Sequence, residues 1–189
     1  EQQRDIMTSV FKSQIPAMEK SDFLVMFEPV GATAQPIVIT QNEFMRRMKD
    51  MAAIQSGMAF YGELPDSYNL IVNTDHPLSQ KVIADTESAC KSELTPILDE
   101  LKTVNEEIER LQEAKKDKKD DEIPVADKEA LKHAEEKAKE LRAKESDILK
   151  TYADRTPLVR QLVDLALLSN NMLKGEALSK FIKRSVEML

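Results

Sequence analysis

Residues 158–168 constrain the fold of this chain more than any other stretch, because as a helix they are apolar on almost every side. In Leu158-Val159-Arg160-Gln161-Leu162-Val163-Asp164-Leu165-Ala166-Leu167-Leu168 only Arg160, Gln161 and Asp164 are polar. Such a helix must be covered on more than one side. Thr156-Pro157 supplies a cap and a proline at the first helical position, and Asn170-Asn171 ends the helix. After Gly175 a last helix carries Leu178, Phe181, Ile182, Val186 and Leu189 along one side. Its Lys180, Lys183 and Arg184 lie in the later turns, where cations suit the helix dipole. A sheet and the final helix can cover two sides of the first helix, which leaves a third apolar side over. Four large side chains left wet there would forgo about 6–12 kcal/mol, at about 1.5–3 kcal/mol each. Self-association across a two-fold axis recovers this against the cost of association. Two helices from each copy then form a dimeric four-helix bundle. The interface expected on these grounds is Leu158, Leu162, Leu165, Leu168, Leu178, Phe181 and Ile182. The competing arrangement is a monomer whose own helices fold over the surplus side.

Toward the N-terminus helix and strand patterns mix. Residues 1–15 read as an amphipathic helix with Ile6, Val10 and Phe11 on one face and Ile15 a turn further on, ended by Pro16. Phe23-Leu24-Val25-Met26-Phe27 reads as a strand too apolar to leave either face wet, broken by Pro29 and Gly31. Pro36-Ile37-Val38-Ile39-Thr40 is a second, β-branched strand, and the short turn-rich connection predicts that the two form a hairpin. Asn42 caps a helix reaching to about residue 55, and Gly57, Gly62 and Pro65 mark an irregular loop after it. Tyr68-Asn69-Leu70-Ile71-Val72-Asn73 is a third strand, which Asp75-His76-Pro77 turns into a helix with Leu78, Val82 and Ala89 on its apolar side. In the capped helix Met45, Met48 and Met51 fall at i+3 steps and share a face, next to Phe44 and ahead of Met58, Phe60 and Tyr61. Methionine is flexible and polarizable, so it suits a surface that accepts many shapes. The stripe is either core against the sheet or an exposed patch for unfolded polypeptide, and spacing leaves both open.

Between these parts lies a segment of different character. Leu94, Ile97, Leu101, Val104, Ile108 and Leu111 alternate steps of three and four, which is a heptad seam. Residues 115–127 form a polar turn containing Pro124, after which Leu131, Ala134, Ala138, Leu141 and Ile148 resume the spacing. The pattern predicts an inserted antiparallel helical hairpin over 94–152, with arms about 30 Å long at about 1.5 Å per residue. Of residues 99–150, 17 are acidic and 13 basic, and their interleaving reads as a solvated face rather than a partner surface. His133 on this arm is expected to be exposed. The fold class is thus α+β: a small three-stranded sheet packed with helices over 1–93 and 153–189, with a charged coiled-coil hairpin inserted at 94–152.

Composition narrows the function. Apolar residues make up 41%, enough for a core, while a net charge of -7 without a basic stripe speaks against nucleic acid or an anionic membrane as partner. No apolar run reaches the roughly 18 residues that span a bilayer, and no signal peptide is seen. The single cysteine, Cys90, can form no internal disulfide, which predicts a reducing cytoplasm; it is expected to be half-buried on a helix. Because the sequence starts at Glu1 rather than Met, it is expected to be a piece of a longer protein. Catalysis needs converging polar groups. His76 beside Asp75 has no nucleophile or third ligand near it in sequence and reads as a turn histidine. There is no phosphate loop, zinc spacing or glycine-rich nucleotide motif, so neither a catalytic site nor a metal is expected.

Two stretches carry a resemblance, the first of them interrupted by a break. They are Glu43-Phe44-Met45-Arg46-Arg47-Met48-Lys49 followed by Tyr68-Asn69-Leu70-Ile71-Val72-Asn73-Thr74-Asp75-His76-Pro77-Leu78, and Leu162-Val163-Asp164-Leu165-Ala166-Leu167-Leu168-Ser169. With the order of elements over 1–90 and 155–189, the chain resembles the C-terminal domain of the ninety-kilodalton heat-shock chaperones, most closely their bacterial branch. The resemblance implies a homodimerisation and client-contact domain of an ATP-dependent chaperone that binds unfolded or partly folded protein. It implies that the last two helices form the dimer bundle and that Phe44, Met45, Met48 and Met51 face client. ATP and magnesium would belong to an N-terminal domain outside this sequence, so no cofactor is expected here. The inserted hairpin is longer than the linker most members have at that point. The end, Val186-Glu187-Met188-Leu189, lacks the Met-Glu-Glu-Val-Asp tail that recruits tetratricopeptide cochaperones, so those partners are not expected. The alternative is a coiled-coil scaffold unrelated to chaperones, in which the hairpin itself would be the association surface.

Overall fold

The computed structural model describes residues 2–54, 64–116 and 124–188. The chain is α+β. In chain order it forms α1 (Gln2–Ser13), β1 (Ser21–Glu28), β2 (Ile37–Gln41), α2 (Glu43–Ile54) and β3 (Asp66–Asn73), followed by α3 (Pro77–Glu113), α4 (Val125–Arg155), α5 (Pro157–Ser169) and α6 (Gly175–Glu187). It divides into two compact units, residues 1–86 with 152–189, and residues 87–151.

In the first unit β3 lies at the centre of the sheet, parallel to β1 and antiparallel to β2. The expected hairpin of β1 and β2 is therefore corrected: they are the two edges, and β3 inserts between them. The central place goes to the strand with most to hide, since Leu70 and Val72 are completely buried. Strand alternation sorts the sheet into two faces. On one, Val25, Leu70, Val72, Ile37 and Ile39 are buried, and α1 packs on β1 while α5 packs on β2. Met7, Val10 and Phe11 fill the α1 side, with the Phe11 ring edge-on to Phe27 at 6.3 Å between centroids. The other face is wetter than β1's composition suggested. Leu24 is 59% exposed, because a strand's even and odd residues cannot both point into one core.

The end of β3 is locked by Asn73, which is completely buried. Its Oδ1 accepts the Val30 and Asp75 backbone N–H groups, both at 3.1 Å. Its Nδ2 donates to the carbonyls of Gly31 at 2.8 Å and Gln35 at 3.2 Å. One side chain thus closes the β1–β2 connection against the β3–α3 turn. Gly31 sits there at φ +100°, a conformation that costs a glycine nothing.

The buried stripe of α3 is not Leu78, Val82 and Ala89. Leu78 and Ala89 are exposed, and the stripe runs Ser79, Val82, Thr86, Cys90, Leu94. Polar Ser79 and Thr86 hide it in the sequence. They are tolerated because the Ser79 hydroxyl donates to the Pro36 carbonyl and the Thr86 hydroxyl to the Val82 carbonyl. Cys90 is buried rather than half-buried, and burial, with Glu93 nearby, pushes its thiol pKa up, which keeps it protonated. In the second unit Leu101 and Val104 of α3 pack with Ala134, Ala138 and Leu141 of α4, and Ile97, Leu98 and Ile108 join them. Residues 117–123 of the expected polar turn lie outside the described residues.

Candidate functional site

Helix α2 is anchored at one end and along one side. The Asn42 side chain accepts the Met45 N–H at 3.2 Å, capping the helix as expected, and the Asn42 N–H donates to the Ser67 carbonyl. Lys49 pairs with Asp66 at the start of β3, 2.6 Å away. The i, i+4 pairs Arg46–Asp50 and Arg47–Glu43 run along its outside. The three methionines do not share one face. Steps of three leave a shortfall of about 60° each from a full turn, so Met51 stands about 120° round from Met45. Met45 and Met48 are half-buried, whereas Phe44 is 64% exposed and Met51 and Ile54 are exposed beside it. Met58, Phe60 and Tyr61 lie outside the described residues.

The terminal pair has a similar division. Val159, Leu162, Val163, Ala166 and Leu167 of α5 are buried. Leu162, expected at a contact between copies, is 3% exposed and packed within its own chain. Leu158, Leu168, Leu178 and Phe181 are half-buried, Leu165 is 42% and Ile182 53% exposed, and Val186 and Met188 are exposed too. Leu189 lies outside the described residues. No residue of α6 is buried.

Beside the half-buried Ala177, Leu178 and Phe181, a polar network ties α6 to α5, and little in the sequence pointed to it. Asp164, one of the three polar residues of α5, is 1% exposed. Its Oδ2 takes Nη2 of Arg184 at 2.6 Å and Nε of Arg160 at 3.2 Å. Arg184 Nε donates to Gln161 Oε1 at 2.8 Å, and Gln161 Nε2 to the Ser185 hydroxyl at 2.6 Å. Arg160 also reaches the Gln14 carbonyl at 2.9 Å, tying α5 to the end of α1. The signal available in sequence was the coincidence of three polar residues in an otherwise oily helix with an arginine on the next one. Thr156 stands at the N-cap but does not cap; its hydroxyl donates back to the Tyr152 carbonyl instead.

The Asp75-His76 turn is built for structure. The Asp75 carboxylate accepts the Gly31 N–H at 3.0 Å, and His76 Nδ1 accepts the Leu78 N–H at 3.1 Å in the first turn of α3. In the second unit Lys137 of α4 meets Glu100 of α3 at 2.6 Å. That hydrogen-bonded pairing holds the Glu100 carboxyl below its usual value and the Lys137 ammonium above its own. His133 is exposed nearby. Among the described residues no group of His, Cys, Asp or Glu is placed to hold a metal ion, and no helix is long and apolar enough to cross a membrane.

The chain is similar over its whole length to curated chaperones. It is 47% identical over 188 residues to the chaperone protein HtpG of Bacteroides thetaiotaomicron, covering 100% of this chain and 28% of that protein. It is 47% identical over 186 residues to the HtpG of Bacteroides fragilis strain 638R, covering 98% of the chain and 27% of the relative. The HtpG of Porphyromonas gingivalis strain ATCC 33277 is 44% identical over 187 residues, again covering 27% of the relative. The chain therefore spans little more than a quarter of the length of the relatives it matches. No protein-family profile and no solved structure matches it.

Proposed function

We propose, since this chain belongs to the HtpG chaperone family, that it is the part of a longer chaperone that pairs two copies and touches client protein. The observation that carries the reading is the apolar surface that one copy leaves uncovered on its terminal helices, Leu165, Ile182, Val186 and Met188. Burying large side chains of this kind is worth about 1.5–3 kcal/mol each, enough in sum to favour a two-fold bundle of α5 and α6. In this proposal Leu158, Leu168, Leu178 and Phe181 extend the contact, since they are half-buried in one copy.

The client surface is proposed on the outer side of α2, with Phe44 and Met51 leading and Ile54 beside them. Met45 and Met48 contribute their exposed edges and hold the helix to the sheet. An exposed aromatic flanked by methionines, on a helix rimmed by ion pairs, suits transient binding of varied apolar segments. The inserted two-helix region, expected over 94–152, is proposed as a solvated arm. Its heptad residues are satisfied by each other, and among its described residues Val125 is the one large apolar side chain left exposed. A scaffold associating through that region would need more. The ATP-driven cycle, with its nucleotide and magnesium, is proposed to reside in the remainder of the longer protein, in the cytoplasm.

The test separates the two surfaces. Leu165→Glu/Ile182→Glu is expected to convert a dimer to a monomer in sedimentation, with helical content intact. Phe44→Ser/Met51→Ser is expected to leave the mass unchanged and weaken binding of a reduced, unfolded model protein. A parent chain that is monomeric at high concentration overturns the pairing, and unaltered client binding in the second variant overturns the α2 assignment.

A further inference from the structure

We infer that the Asp164–Arg184 ion pair is a register pin, which sets the rotation at which α6 presents its apolar side to a second copy. This rests on the self-association proposed above. No residue of α6 is fully buried; Ala177, Leu178 and Phe181 are half-buried on the same side of the helix as Arg184 and Ser185. The directional contacts are polar. Arg184 spans two acceptors on α5, Asp164 Oδ2 at 2.6 Å and Gln161 Oε1 at 2.8 Å, and Ser185 takes the Gln161 amide at 2.6 Å. A guanidinium held at two acceptors defines an angle, which a greasy contact does not. Arg184 follows Ile182 by two residues, roughly 200° round the helix. Holding Arg184 against α5 therefore turns Ile182 outward, and Val186, one turn on, with it.

The burial of Asp164 argues for specificity rather than stability. The carboxylate is 1% exposed, and its Oδ1 meets no donor among the described residues. A buried ion pair with one oxygen left unsatisfied is a poor way to hold two helices together; apolar residues of similar size would do so as well or better. Fixing one register among several greasy alternatives is the use for which buried polar contacts are best attested. Arg160 is independent of the pin in one respect, since it keeps the Gln14 carbonyl as a partner at 2.9 Å if Asp164 is removed.

The experiment uses the full chain with a spin label at Ser179→Cys, an exposed position on α6. Distances between labels in the two copies are compared with the dimer dissociation constant and the thermal midpoint. The unaltered pin is expected to give one narrow distance distribution. Asp164→Leu/Arg184→Leu is expected to unfold at the same temperature or higher. Its distance distribution should broaden, and its dissociation constant should rise roughly tenfold or more, as coupled interface residues do. Arg184→Lys, which keeps the charge but loses the planar fork that reaches both acceptors, should broaden the distribution without lowering the midpoint. It stands in if the double variant does not fold. A narrow, unchanged distribution and unchanged affinity in a well-folded variant overturn the pin while leaving self-association intact. A merely structural role would instead lower the midpoint with the distances unmoved, and that result also overturns it. If the labelled parent chain is monomeric, self-association itself has failed and the pin falls with it.

Discussion

Asn73 shows how one residue of the Asn-Thr-Asp-His-Pro stretch does its work through the backbone. It is completely buried and meets two N–H groups and two carbonyls across two connections. Removing it takes a partner from all four, although the Gly31 carbonyl keeps the Ala34 N–H at 3.2 Å, and each group left both buried and unsatisfied costs about 1–3 kcal/mol. Relaxation and water entry recover part of that, so Asn73→Ala should lose about 3 kcal/mol. The check is urea unfolding: the midpoint should fall with the slope unchanged, and a loss below about 1 kcal/mol would show that the turn is held by something else. The same stretch places His76 and Asp75 side by side, each with a backbone contact. His76 Nδ1 accepts the Leu78 N–H and Asp75 Oδ2 the Gly31 N–H.

At the scale of elements, α3 and α4 carry a charge pair whose pH response can be worked out. Glu100 titrates below its usual value because Lys137 donates a hydrogen bond to its charged form. Its contribution is therefore present at neutral pH and lost as pH falls through that lowered folded value. Lys137 titrates above its usual value for the same reason, so its share is present below the ordinary lysine range and lost as pH rises through the raised one. Both groups are exposed, so the effect is small and screened by salt. Glu100→Gln should flatten part of the acid limb of the thermal midpoint measured by circular dichroism, more so at low ionic strength. An acid limb identical to that of the parent chain would show that the contact contributes nothing. The heptad reading of these two helices was legible because Leu101, Val104, Ala134, Ala138 and Leu141 are all apolar. The N-terminal part of α3 was not legible, because Ser79 and Thr86 interrupt the same stripe.

For the whole molecule, the division into residues 1–86 with 152–189 and residues 87–151 implies that the two proposed activities belong to the first unit. Deleting residues 97–150 and joining the ends with a short flexible linker should leave a dimer in sedimentation; a monomeric product would move the association surface onto the inserted arm. Length, heptad spacing, the capped α2 and the oily α5 determined an α+β chain with two long charged helices. They did so because local periodicity and capping depend only on neighbours in sequence. Three features were decided by the tertiary structure alone. Strand order was one: β3 took the centre because a sheet ranks strands by what they must bury, not by when they are made. The sides of α2 were another, since a three-residue step drifts round a helix until packing chooses which edge is wet. The last was the fate of Asp164. In the sequence it is a polar interruption of an apolar helix. Only the arrival of Arg184 from the following helix, joining Arg160 of its own, gives the buried carboxylate a partner from another element.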